Sequence, residues 1–127
     1  MHFKREESLK DLSTLITICE DGTDKQICQA FVTIQTRPDY VYKQFHNLHR
    51  PIVYFSSFYT MREYRKHGYG RMMLRYVKEY YKGCIVFLHV AGFGDLSDEQ
   101  LVEFYKSEGF KEYNSDYPHN PLLAIVL

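Results

Sequence analysis

The chain has 127 residues, 45% of them hydrophobic and 25% charged, and its 16 Lys+Arg balance 16 Asp+Glu. That length suits one domain, residues 1–127, with a single two- or three-layer core, and the zero net charge speaks against a general polyanion binder, so no nucleic-acid partner is expected. No apolar run approaches a membrane span, and the charged opening Met1-His2-Phe3-Lys4-Arg5-Glu6-Glu7 has no apolar region behind it.

Three cysteines, Cys19, Cys28 and Cys84, are odd in number and lack CxxC or zinc-type spacing. The expectation is therefore free thiols in a reduced, cytoplasmic setting, with no metal and no membrane partner. The 12 Tyr and 9 Phe with no Trp imply many tyrosines at the edge of the core, their hydroxyls reaching outward.

In chain order, residues 12–19 (Leu-Ser-Thr-Leu-Ile-Thr-Ile-Cys) are rich in β-branched residues and read as the first strand. Asp21-Gly22-Thr23-Asp24 is a turn, and Gln26 to Thr36 is the returning strand of a hairpin. Residues 37–50 hold polar and aromatic residues without periodicity and read as a loop with room for one helical turn. Pro51 opens a buried strand that runs to Thr60, Pro being tolerated at a strand start.

A helix is predicted from Tyr69 to Tyr81, closed by Gly83, with Met73, Val77 and Tyr80/Tyr81 at helical spacing. Cys84 to Val90 is nearly continuously apolar, as a strand covered on both faces should be. Gly92-Phe93-Gly94-Asp95 reads as a connection. Ser97-Asp98-Glu99-Gln100 has the form of a capping box opening a helix that ends at Gly109. Phe110 to Tyr113 and Leu122 to Leu127 are the last two strands, joined by a loop containing Pro118 and Pro121.

Arg65-Lys66-His67-Gly68-Tyr69-Gly70 lies between a strand and a helix N-terminus. Such a loop makes an anion cradle, because the first N–H groups of a helix have no internal partners and the glycines let the backbone approach a ligand. A bland turn before a surface helix accounts for a single Gly-x-Gly equally well. The charge distribution suits the cradle: residues 61–82 hold seven Lys/Arg against two acids, while 91–116 hold seven acids against two Lys. A basic loop and helix fit the phosphates of a nucleotide-like ligand, and the acidic segment fits a cationic acceptor or simply a solvated face.

Together, the Arg65–Gly70 loop and the segment Tyr105-Lys106-Ser107-Glu108-Gly109-Phe110, about 35 residues later, resemble the GCN5-related N-acetyltransferase superfamily. That family carries an Arg/Gln-x-x-Gly-x-Gly/Ala loop on the acyl-CoA pyrophosphate and a helix ending in Tyr-x-x-x-Gly-Phe. The resemblance covers residues 51–127 well and 12–36 loosely. It implies an α/β fold of the acyl-CoA N-acyltransferase type, a central mixed β-sheet with helices on its faces. It also implies transfer of an acetyl group from acetyl-CoA to a primary amine by direct attack in a ternary complex. The family usually begins with a further strand and two helices. With about 11 residues before the first expected strand, this chain reads as a short member lacking most of them.

Residue by residue, the resemblance implies that Arg65, Lys66, His67, Gly68, Tyr69, Gly70 and Arg71 hold the pyrophosphate. Backbone groups around Phe58, Tyr59 and Thr60 would take the acyl and pantetheine parts, one N–H serving as oxyanion donor. Tyr105 matches the tyrosine that protonates the leaving thiolate, though a core aromatic is the plain reading of its position on the helix. Tyr54 and Ser56 fall where members with a known base place Glu or His; neither is a good base, but both can order water. His89 and His67 are the alternatives. Asp98 stands where the family often has an Asn that touches the pantetheine arm. No cysteine sits at either motif, so no covalent intermediate is implied.

The rival reading is a non-catalytic module that binds acyl-CoA or a protein partner. A third, a nucleic-acid binder using Tyr and Arg, is opposed by the zero net charge. Exposed sheet edge at the short N-terminal side, with Tyr40, Tyr42 and Phe45 nearby, predicts a homodimer; the alternative is that residues 37–50 fold back on their own sheet.

Overall fold

A computed structural model describes residues 1–35, 40–90, 96–113 and 121–127, with the backbone alone at positions 40–42 and 46. The elements expected around Arg37, Pro38, Gly92 to Asp95, Pro118 and His119 lie outside the described residues. In chain order the structure has β1 (His2–Ser8), β2 (Ser13–Cys19), β3 (Gln26–Ile34), α1 (Tyr40–Phe45), β4 (Ile52–Thr60), α2 (Tyr69–Tyr80), β5 (Ile85–His89), α3 (Asp98–Ser107), β6 (Lys111–Tyr113) and β7 (Leu122–Val126). Short 3-10 turns occupy His46–Leu48 and Arg62–Tyr64. The seven strands form a mixed sheet in the order β1-β2-β3-β4-β5-β7-β6, with β4 and β5 parallel.

The described chain resolves into two compact units, residues 1–34 with 55–82, and residues 35–54 with 83–127. In the first unit, β1, β2 and β3 are an antiparallel meander. Its buried side chains include Ile16, Ile18, Cys28, Ala30 and Val32, together with Met73, Leu74 and Val77 of α2. The spacing of those three α2 residues puts them on one helical face, and each fully buried aliphatic contributes about 1.5–3 kcal/mol.

β1 corrects the expectation of a missing first strand. It was hidden because six of its seven residues are polar or charged, as suits an edge strand. One of its faces is stapled to α2. Phe3 stacks on Tyr76 at 4.1 Å, the Arg5 guanidinium lies 4.5 Å from the Tyr80 ring centroid, and the Tyr80 hydroxyl donates to Glu7 at 2.9 Å. The unusual tyrosine content is thus partly a strand-to-helix adhesive.

In the second unit, a cluster of Phe45, Ile52, Ile85, Phe87, Leu122 and Ala124 is buried, with Tyr54 and Tyr113 packed against it. α1 is the short helical turn allowed for within residues 37–50, and Phe45, 3% exposed, folds back onto its own chain. A six-residue helix has little intrinsic stability; one anchored aromatic, edge-on to Tyr113 at 4.9 Å, holds it.

The α3 N-terminus carries the full capping box: Gln100 N–H donates to Ser97 Oγ at 3.2 Å and Ser97 N–H to Gln100 Oε1 at 2.9 Å. Its C-terminus is a Schellman stop. Phe110 N–H donates to Tyr105 C=O at 3.1 Å, Gly109 N–H to Lys106 C=O at 3.0 Å, and Gly109 has φ +98°.

Candidate functional site

In the first unit the candidate loop runs from the end of β4 to the start of α2. Lys66 and Gly68 both have left-handed φ, 66° and 84°, and Gly68 is the N-cap of α2. Its N-cap Gly68 makes no side-chain cap bond and no acid lies in its first turn, in contrast to α3. The α2 N-terminus therefore presents backbone N–H groups and the positive end of its dipole beside basic residues, the arrangement that receives phosphate oxygens. Lys66, His67 and Gly68 are exposed, while Arg65, Tyr69, Gly70 and Arg71 are half-buried.

Two contacts join this loop to the end of β4. Arg65 Nε donates to the Thr60 carbonyl at 3.0 Å. A Cβ added at Gly70 would meet Phe58 Cζ at 3.6 Å and Thr60 Oγ1 at 3.9 Å. The structure thus brings Phe58, Thr60, Arg65 and Gly70 together, but Arg65 holds the loop rather than reaching outward with its Nε. The contacts at Gly70 are ordinary van der Waals distances, so the fold does not itself demand glycine there.

β4 has its own irregularity. Its ladder to β5 comprises Ile52–Tyr54 against Ile85–Phe87, and Ser57 further along has φ 49°. A non-glycine residue in that region costs roughly 1–3 kcal/mol and marks a local departure from regular strand backbone. No Gly or Asn marks this position in Ser56-Ser57-Phe58, so the residue types do not signal it. Ser56 Oγ donates to the Phe31 carbonyl at 3.4 Å, and Thr60 Oγ1 to Cys28 Sγ at 3.4 Å. Burial pushes the Cys28 thiol up to about 11, which keeps it protonated and unreactive. Phe58, Tyr59 and Thr60 are half-buried.

The remaining candidates belong to the second unit. Tyr105 is 6% exposed, its ring against Phe104 at 5.3 Å and Phe110 at 5.5 Å. Burial raises its hydroxyl well above the usual phenol range, so it stays protonated throughout neutral pH. Tyr54 packs on Phe87 at 5.0 Å and near the His89 ring at 6.4 Å, and desolvation raises its hydroxyl too, which makes it a poorer base. Asp98 Oδ1 is buried with no hydrogen-bond partner among the described residues. Also among the described residues, no group of three or more His, Cys, Asp or Glu could hold a metal ion, and no helix is long and apolar enough to cross a membrane.

Known proteins fit this geometry. The acetyltransferase (GNAT) domain model matches residues 13–112. No curated protein sequence matches the chain. Among solved structures, an acetyltransferase from Trypanosoma brucei is 21% identical with TM-score 0.56, over 85% of this chain and 68% of the other. Arabidopsis thaliana NAA60 in complex with a bisubstrate analogue is 17% identical with TM-score 0.65, over 89% and 74%. An aminoglycoside 6′-N-acetyltransferase complexed with coenzyme A is 12% identical with TM-score 0.62, over 90% and 72%. The chain belongs to the GCN5-related N-acetyltransferase (GNAT) superfamily and has its acyl-CoA N-acyltransferase fold.

Proposed function

We propose that this protein transfers an acetyl group from acetyl-CoA to a primary amine by direct attack in a ternary complex. The observation that carries the reading is the uncapped α2 N-terminus behind Gly68 and Gly70, flanked by basic residues and tied to the end of β4. There the N–H groups of residues 68–71 hold the pyrophosphate, with Lys66, His67 and Tyr69 in the same loop. The backbone from Phe58 through Tyr59 to Thr60 takes the thioester and pantetheine. Support for acetyl-CoA also comes from the solved relatives described with coenzyme A or a bisubstrate analogue.

In the reaction, the amine lone pair attacks the thioester carbonyl, the oxyanion is held by a β4 N–H, and the C–S bond breaks as the tetrahedral intermediate collapses. Tyr105 gives its proton to the departing thiolate, and a water ordered by Tyr54 and Ser56 accepts the proton from nitrogen. Gly109 and Phe110 are accounted for by the helix stop, which makes no use of the Tyr105 hydroxyl. The proton-donor role rests on the match of Tyr105 to the family's tyrosine.

Residues 1–127 form one catalytic module in this reading, since the family match at 13–112 takes in parts of both units. Free Cys19, Cys28 and Cys84 agree with a reduced, cytoplasmic setting. The rival, a non-catalytic acyl-CoA binder, is favoured by one observation: β4 carries no carboxylate or imidazole. Turnover on a panel of small amines, peptide N-termini and lysine peptides decides between them. With the acceptor so found, Tyr105→Phe is expected to lower kcat on the order of 10² with unchanged acetyl-CoA affinity. Binding without turnover on any acceptor selects the rival, and unchanged kcat returns Tyr105 to a packing role.

A further inference from the structure

The cofactor loop has a bracket outside it that the family motif does not contain. The turn between β2 and β3 is closed by Glu20 N–H to Lys25 C=O at 3.0 Å and Lys25 N–H to Thr23 Oγ1 at 3.2 Å, so Glu20 and Lys25 stand together at its base. Both reach Tyr64, the last residue of the 3-10 turn Arg62–Tyr64. The Tyr64 hydroxyl donates to Glu20 Oε1, and the Lys25 ammonium lies 5.5 Å from the centroid of the Tyr64 ring. Lys25 Nζ also pairs with Glu63 Oε1 at 3.3 Å. On its other side the Tyr64 ring meets Tyr69 edge-on, centroids 6.1 Å apart, and Tyr69 is the first residue of α2.

The turn is fixed at its base as well. Met61 N–H donates to the Ile27 carbonyl at 2.8 Å, and Tyr64 N–H to the Met61 carbonyl at 2.9 Å. One aromatic ring therefore touches both ends of the segment 65–68, which carries two left-handed residues and exposes Lys66, His67 and Gly68. Left alone, such a segment would sample many shapes, and ordering it on ligand binding would cost affinity.

We propose that Tyr64 is a positioning residue for the acetyl-CoA loop. Held from the β2–β3 turn by Glu20 and Lys25, it fixes the entry to the loop and, through Tyr69, its exit, so the N–H groups are aimed before the ligand arrives. The inference rests on the acetyl-CoA reading of that loop. Glu20 acts through the Tyr64 hydroxyl, and Lys25 acts on that hydroxyl, on the ring and on Glu63. The hydroxyl of Tyr64 is held protonated by its bond to the carboxylate, which raises it from the ordinary phenol value.

The test is isothermal titration of acetyl-CoA into the whole chain and into Tyr64→Phe, Glu20→Gln, the double variant and Gly70→Asp, with the melting temperature of each free protein. Expected is a Kd raised about three- to tenfold in each of Tyr64→Phe and Glu20→Gln, and no further in the double variant, because both remove the same bond. The free proteins should melt within about 2 °C of the parent, since a partly exposed pair adds little to stability. An unchanged Kd, additive losses, or a Kd that changes only as melting temperature falls would each overturn the proposal. If Tyr64→Phe does not fold, Glu20→Gln, which keeps the ring, carries the test. A parent that does not bind acetyl-CoA overturns the loop's assignment and this inference with it. A parent that binds, with Gly70→Asp that does not and Tyr64→Phe that binds equally well, overturns the bracket alone.

Discussion

Gly70 separates the needs of the fold from those of the ligand. It is the second residue of α2, its φ is not left-handed, and an added Cβ would stand 3.6 Å from Phe58 Cζ. Nothing among the described residues forbids a side chain there. Glycine in a helix costs up to about 1 kcal/mol relative to alanine, so Gly70→Ala should leave stability unchanged or improved. Gly70→Asp adds an acid to a first turn that has none, a placement favourable to the helix dipole by about 0.3–1 kcal/mol. For a domain of this size, 1 kcal/mol moves the melting temperature by roughly 3–5 °C.

The ligand should read the same substitutions with the opposite sign. A carboxylate at ~5 Å from a phosphate charge, at an effective dielectric constant of ~20, repels it by about 3 kcal/mol, or some two orders of magnitude in Kd. Gly70→Asp is therefore expected to melt no lower than the parent and to lose measurable acetyl-CoA binding. Gly70→Ala should bind more weakly with its stability intact. Calorimetric titration and thermal melting on the same samples make the comparison. Parent-like affinity in Gly70→Asp would refute the loop as cofactor site, and a collapsed fold in Gly70→Ala would refute the steric reading.

Cys28 predicts alkaline behaviour. Its thiol sits at about 11 in the fold against ~8.5 in an unfolded chain, so the native state keeps a proton that the unfolded state releases. That contribution is complete below about pH 8.5 and is lost as pH rises to 11, on the order of 3 kcal/mol; urea melts should show a flatter decline for Cys28→Ala, and parallel declines would count against the assignment. The homodimer argument has lost one of its three aromatics, since Phe45 is used by its own core, and Tyr40 and Tyr42 are left to carry it. A mass twice 15.2 kDa by light scattering behind a sizing column supports the dimer, and a mass that stays at 15.2 kDa across concentrations rules it out.

Much of the architecture follows from local signals. The run Ile52–Thr60 is apolar enough to be a buried strand, the spacing of Met73 and Val77 marks a helix face, and Ser97 with Gln100 forms the box that the sequence announces. β1 escaped, and the bounds of α1 could not be drawn, for the same physical reason, reliance on partners far along the chain. A strand of Lys, Arg and Glu acquires its apolar contacts only when Tyr76 and Tyr80 come to lie against Phe3 and Arg5. A six-residue helix has no pattern to detect until Phe45 meets the cluster around Ile85 and Leu122.

The candidate site divides along a similar line. Gly68 and Gly70 can be read because glycine is needed where backbone must face a ligand. The Tyr105 motif is legible for a structural reason, since its Gly109 and Phe110 serve the Schellman stop. Ser57 and Tyr64 carry no such mark. The left-handed φ of Ser57 is not signalled by its residue type, and Tyr64 becomes a support only because Glu20, 44 residues earlier, accepts its hydrogen bond. Sequence motifs record the groups that must touch a ligand. What holds those groups still is written in pairs distant in sequence, such as Glu20 with Tyr64 and Thr60 with Cys28.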